Sequence, residues 1–150
     1  MSKRMPSLHL LLADDDKDDC DLFKEALEDL EILSDFSSVS DGEQLMTYLT
    51  AESQQTPYLL FVDLNMPRKN GIECLTEIKG NDKLKHLPVI IISTSFDPVI
   101  IRSLYNSGAQ HYIRKPNNFA LLKKLIHTAI NTFLQTNPGR TSYDNFVLQP

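Results

Sequence analysis

Short runs of almost unbroken apolar residues recur along this chain: Leu8–Ala13 (LHLLLA), Tyr58–Val62 (YLLFV), Pro88–Ser93 (PVIIIS) and His111–Arg114 (HYIR). They are too short for buried helices and, HYIR apart, too apolar for strands with one wet face. A strand covered on both sides meets both conditions, which is the usual situation in a parallel sheet. Asp35–Ser40 (DFSSVS) is the weakest of five candidate strands.

Between these runs the apolar spacing changes to that of helices. Phe23, Leu27 and Leu30 share a face, as do Leu45, Tyr48 and Leu49, then Ile72, Leu75 and Ile78, then Ile100, Leu104 and Tyr105. Phe119, Leu122, Ile126, Ala129, Ile130 and Phe133 form the longest stripe. Helix-start residues precede the first four: Asp16–Asp19, Asp41-Gly42, Asn70-Gly71 and Asp97-Pro98. Strand and helix alternating five times predict an α/β fold, a five-stranded parallel sheet with helices on both faces, doubly wound as a flavodoxin-like (βα)5 unit. Such sheets bind ligands beyond the carboxyl ends of their strands.

One domain fits the 150 residues, since domains commonly run roughly 100–200 residues. Residues 1–7 read as an extension, 8–136 as the domain and 137–150 as a tail. Asn137-Pro138-Gly139 should stop the last helix, because proline lacks the N–H and glycine permits the exit. The following segment either docks through Tyr143, Phe146 and Val147 or stays mobile, and a mobile tail is expected, as termini are poorly ordered unless tied down.

A net charge of -5 offers no overall attraction to nucleic acid or anionic lipid. No apolar run approaches the ~18 residues of a membrane span, and the start lacks the pattern of a secretory signal. A cytoplasmic protein with no direct nucleic-acid or membrane partner is expected. Cys20 and Cys74 have no metal or redox spacing and read as small packing residues.

Acids stand at the strand ends. The first strand runs into Asp14, Asp15 and Asp16, and the third into Asp63. In one parallel sheet these converge, and carboxylates ~4 Å apart repel by ~4 kcal/mol at an effective dielectric near 20. A divalent cation relieves this, and oxygen ligands with room for water suit Mg²⁺. Asp16 reads as a helix N-cap, and Asp18, Asp19 and Asp21 as a solvated first turn favoured by the helix dipole. Ser93 at the fourth strand end and Lys115 after the fifth add a hydroxyl and a cation. Together these groups match a phosphoryl group bound through Mg²⁺.

This constellation resembles the CheY-like receiver domain of two-component response regulators. The resemblance runs from about Leu8 to Gln135 and rests on Asp14-Asp15, DLNMPRKNG around Asp63, Ser93-Thr94 and Lys115-Pro116. It implies that Asp63 is the phosphoacceptor, taking a phosphoryl group from a sensor histidine kinase or phosphotransfer protein. Asp15, Asp63 and the backbone carbonyl of Asn65 would hold Mg²⁺, with Asp14 acting through water. Lys115 would pair with the phosphoryl oxygens, Ser93 would follow the phosphoryl group, and Tyr112 would turn inward as part of the switch. On phosphorylation, Lys115 and Ser93 are expected to gain partners they lack at rest.

The resemblance also allows a cis Lys115–Pro116 peptide. It implies a single-domain regulator whose output passes to a downstream protein target. The chain would catalyse only its own phosphorylation and dephosphorylation, as a monomer or a homodimer. The alternative is a Mg²⁺-dependent phosphatase or phosphotransferase forming an aspartyl phosphate. Asn65 weakens it, standing where that class usually has a second acid.

Overall fold

The computed structural model describes residues 8–51, 59–135 and 141–149. Five strands, β1 (Leu8–Ala13), β2 (Ser34–Val39), β3 (Leu59–Asp63), β4 (Val89–Ser93) and β5 (His111–Arg114), form one parallel sheet in the order β2-β1-β3-β4-β5. Helices α1 (Lys17–Asp29), α2 (Gly42–Thr50), α3 (Gly71–Lys79), α4 (Pro98–Asn106) and α5 (Phe119–Gln135) alternate with them. Among the described residues, no helix is long and apolar enough to cross a membrane.

The two-residue period of the strands sorts their side chains onto two cores. Leu11, Ala13, Leu60, Val62, Val89 and Ile91 pack with residues of α2, α3 and α4. On the opposite face, Leu10, Leu12, Leu59, Phe61, Ile90 and Ile92 pack with residues of α1 and α5. Both faces are covered, which explains the unbroken apolar runs.

Side-chain caps set four of the helix starts. Asp16 accepts from the N–H groups of Asp18 and Asp19, Asp41 from Gln44, and Asp97 from Val99, with Pro98 in the first turn. Asn70 and Glu73 form a reciprocal capping box. Each such cap contributes about 1 kcal/mol.

Some expectations fail locally. Ile72 lies on the exposed side of α3, whose buried residues are Gly71, Cys74, Leu75 and Ile78. In α4 the deepest residues are Ile101 and Leu104, with Ile100 and Tyr105 half-buried. The β2 strand starts one residue earlier than read and sits at the sheet edge with mixed burial, hence its weak apolar signal. No described peptide is cis, so Lys115–Pro116 is trans. Tyr58 and Asn137–Gly139 lie outside the described residues.

The expected mobile tail is also corrected, because residues 141–149 pack on β5. Tyr143–Asn145 form a 3-10 turn, and Phe146 is wholly buried. The N–H of Tyr112 donates to the Phe146 carbonyl, and the N–H of Leu148 donates to the Tyr112 carbonyl, each at 3.0 Å. These bonds satisfy backbone groups that the outer edge of β5 would otherwise leave open.

His111 joins this contact. Its Nδ1–H donates to the Phe146 carbonyl at 3.1 Å, while its buried Nε2 has no partner. Burial pushes its pKa down. The unfolded chain therefore takes up a proton near pH ~6.5 that the folded chain refuses, so this contribution is present above that pH and lost below it. Urea unfolding at pH 7.5 and 5.5 should show wild type losing about 1 kcal/mol more than His111→Asn over that range. Parallel losses in the two proteins would contradict this.

Candidate functional site

The strand order reverses around β1, which pairs with β2 on one side and β3 on the other. Ala13 is in register with Val62, so the next residues, Asp14 just past β1 and Asp63 at the last position of β3, stand side by side at the carboxyl end of the sheet. Asp14 is 1% exposed and Asp63 6%, while Asp15 faces solvent. One carboxylate oxygen from each of the three lies within 4.8 Å of the others.

Backbone contacts hold the carboxylates in place. Asp14 Oδ1 accepts the Asp16 N–H at 2.9 Å, and Asp63 Oδ1 accepts the Asn65 N–H at 3.3 Å. Gly71, the first residue of α3, presses on the end of β3 and donates its N–H to the Leu64 carbonyl at 2.9 Å. A Cβ there would stand 2.8 Å from the Asp63 carbonyl oxygen and 2.9 Å from the Leu64 Cα.

Lys115 comes from the end of β5, where its N–H donates to the Ser93 carbonyl at 2.8 Å. Its Nζ lies 2.8 Å from Asp14, 2.9 Å from Asp19 and 3.3 Å from Asp63. Burial alone would lower the pKa of this ammonium, but hydrogen bonds to Asp14 and Asp19 and the charge of Asp63 raise it instead. For Asp63, burial pushes up, Lys115 pulls down and Asp14 pushes up again, leaving its pKa at about 6.

One ammonium thus serves an excess of carboxylates. Asp14, Asp15 and Asp63 are hard oxygen donors close enough to share an ion, and a divalent cation would supply the missing positive charge. The donor set fits Mg²⁺ or Mn²⁺.

The structure brings Asp14, Asp15, Asp63 and Lys115 together and ties the Asn65 N–H to Asp63, and three features differ from expectation. Asp19 is not merely a solvated first-turn acid, since it reaches Lys115. Its one signal was its place in the helix leaving the Asp14-Asp15 loop, because Lys115 is remote in sequence. Second, Lys115 and Ser93 are already engaged at rest: Lys115 has three carboxylates, and the wholly buried Ser93 Oγ accepts the Ser95 N–H at 3.1 Å. Third, Tyr112 already lies inside, 1% exposed, donating its hydroxyl to the Ser95 carbonyl.

The pKa of Asp63 has a consequence for stability. The unfolded carboxyl ionises near pH ~3.9 and the folded one later, so stability falls as pH rises between these values. Asp63→Asn is expected to raise stability by about 1–3 kcal/mol at pH 7.5 in EDTA. Urea titration checks this, and a variant less stable than wild type would contradict it.

Comparison with known proteins agrees with this geometry. The family model described as the response regulator receiver domain matches residues 10–127. Response regulator Rcp1 of Synechocystis sp. is 32% identical over 135 residues, spanning 87% of this chain and 92% of Rcp1. The solved structure of the phosphorylated cyanobacterial phytochrome response regulator RcpA has a TM-score of 0.81 at 31% identity, covering 89% of this chain and 100% of that one. For the Mn²⁺-bound form of Rcp1 the TM-score is 0.78 at 30% identity, with 90% and 99% covered. The order of strands, the acids at their ends and these matches lead to one assignment: the chain belongs to the response regulator receiver domain family of two-component signalling.

Proposed function

We propose that this receiver accepts a phosphoryl group on Asp63 from the phosphohistidine of a sensor kinase or phosphotransfer protein, and signals to a protein partner. The observation that carries this reading is the Asp63 carboxylate itself, buried at a strand end, made more basic by its surroundings, and 3.3 Å from the Lys115 ammonium. As the Asp63 oxygen bonds to phosphorus, the phosphorus–nitrogen bond to histidine breaks. Lys115 holds the phosphoryl oxygens in exchange for part of its hold on Asp63 and Asp14. Ser93 turns its hydroxyl from the Ser95 N–H to the new oxygens.

Asp15, Asp63 and the Asn65 carbonyl, with Asp14 through water, would hold Mg²⁺, which supplies charge neutralisation for the transferred group. The Mn²⁺-bound form of Rcp1 supports a divalent ion here. The likeness to RcpA, a phytochrome response regulator, supports a photoreceptor-linked kinase as the donor. In this reading the chain turns over no separate substrate and works in the cytoplasm, in keeping with its free cysteines, Cys20 and Cys74.

Acetyl phosphate with Mg²⁺, followed by intact mass, tests the assignment. Wild type should gain ~80 Da, the mass of one phosphoryl group, and Asp63→Asn or EDTA should abolish the gain. An adduct that persists in Asp63→Asn would place the phosphoryl group elsewhere.

A further inference from the structure

Asp19 lies in the first turn of α1, and its backbone is tied to the acids at the end of β1. Its N–H donates to the Asp16 carboxylate at 3.2 Å, and the Asp16 N–H donates to Asp14 Oδ1 at 2.9 Å. From this fixed helix start its Oδ2 accepts from the Lys115 ammonium at 2.9 Å, across 96 positions of sequence. The Asp19 side chain is 37% exposed, so the pair does little for stability.

The three carboxylates around Lys115 differ in what phosphorylation does to them. Asp63 gives up its free carboxylate when its oxygen bonds to phosphorus. Asp14 belongs to the group of three acids whose oxygens lie within 4.8 Å of one another and would share a cation. Asp19 stands outside that group. It is the partner that neither the ion nor the phosphoryl group takes from Lys115.

Packing does not hold the lysine instead. A cavity of about 60 Å³ borders its side chain, lined also by Asp14, Asp19, Phe23, Ile113 and Ile126. The flexible stem has free space on that side, so the ammonium keeps its place through charge-assisted hydrogen bonds.

We propose that Asp19 is a positioning residue for phosphoryl transfer, holding the Lys115 ammonium beside Asp63 once the ion and the phosphoryl group have claimed Asp14 and Asp63. This rests on the reading of Asp63 as phosphoacceptor. An ammonium has three donors. The bond to Asp19 uses one, and it is made while Nζ stands 3.3 Å from Asp63, which leaves the others for phosphoryl oxygens. A lysine held in this way is already in place when charge develops on the transferred group. The negative charge of Asp19 does the holding, because a neutral acceptor makes a hydrogen bond of about half the strength.

Intact-mass time courses on the full chain, with acetyl phosphate at one high concentration and Mg²⁺ varied, test this. At saturating Mg²⁺, Asp19→Ala should load at least about tenfold more slowly than wild type and Asp19→Asn at least about threefold, while Asp19→Glu should stay within about twofold. The Mg²⁺ concentration giving half the maximal rate should change by less than about threefold, because Asp19 is outside the group that would hold the ion. A second readout needs no metal. In ¹⁵N NMR of the metal-free protein, the Lys115 ammonium should exchange with water at least about threefold faster in Asp19→Ala, having lost a charge-assisted bond.

Absence of a mass gain in wild type refutes the phosphoacceptor reading and this proposal with it. Where wild type loads, Asp19→Ala or Asp19→Asn loading as fast as wild type, or faster, overturns the positioning role alone. So does Asp19→Glu loading as slowly as Asp19→Ala, or an ammonium exchange that Asp19→Ala leaves unchanged. A rate loss that added Mg²⁺ restores would make Asp19 an aid to ion binding and also overturns it.

Discussion

Replacing Lys115 by methionine is expected to lower stability by about 3–5 kcal/mol at pH 7.5 in metal-free buffer, the range for removing one partner of a buried ion pair. Asp14 is 1% exposed and Asp63 6%, and both lose their counter-ion in this variant. The Asp19 side chain, 37% exposed, is screened by water and adds little. The loss should depend on pH. Without the ammonium, which pulls the Asp63 pKa down, the Asp63 carboxyl holds its proton to still higher pH than in the unfolded chain, so stability falls as pH rises above ~4 and the deficit shrinks on acidification.

Mg²⁺ should restore part of the loss, because a divalent ion held among the Asp14, Asp15 and Asp63 carboxylates would replace the missing charge. Urea unfolding at pH 7.5 and 5, with and without Mg²⁺, measures all three effects. A loss below about 1 kcal/mol that ignores pH would show that solvent screens the cluster as it screens a surface pair.

The second large effect is expected from Gly71→Ala. The added Cβ meets backbone at 2.8 and 2.9 Å, the Asp63 carbonyl oxygen and the Leu64 Cα, and backbone cannot turn aside as a side-chain tip can. Either α3 or the end of β3 must move, at about 1–3 kcal/mol for overpacking of this kind. Movement of β3 carries Asp63 with it. A displacement near ~1 Å can slow a reaction about 10²-fold, so phosphorylation by acetyl phosphate should fall far more than stability predicts. Intact-mass time courses beside urea titration separate the two. A stability loss with an unchanged rate would mean that α3 yields instead of the strand.

Much of the site was legible because its residues sit at strand ends. Once LHLLLA and YLLFV are recognised as neighbouring parallel strands, Asp14, Asp15 and Asp63 must emerge on one edge, and Ser93 and Lys115 follow from the next two strands. Asp19 escaped this logic, since an acid in a first helical turn already has a sufficient local reason to be there. Phe146 escaped too: Tyr143, Phe146 and Val147 in a short tail do not reveal whether a surface waits for them. Ile72 was misplaced because it lies three residues before Leu75, but six residues from Ile78 turn it about 120° away, while Gly71 and Cys74, small enough to approach the sheet, set the buried face.

The amino-acid order by itself determined the number and type of the elements, their caps, and the gathering of acids beyond the sheet. Those features follow from periodicity and from hydrogen bonds between residues a few positions apart. Only the tertiary structure decided that Lys115 is shared by Asp14, Asp19 and Asp63, that Asp63 is raised to about 6, and that the tail closes the β5 edge over an inward Tyr112. Coulomb energy, desolvation and edge pairing depend on distance through space, which local patterns do not encode.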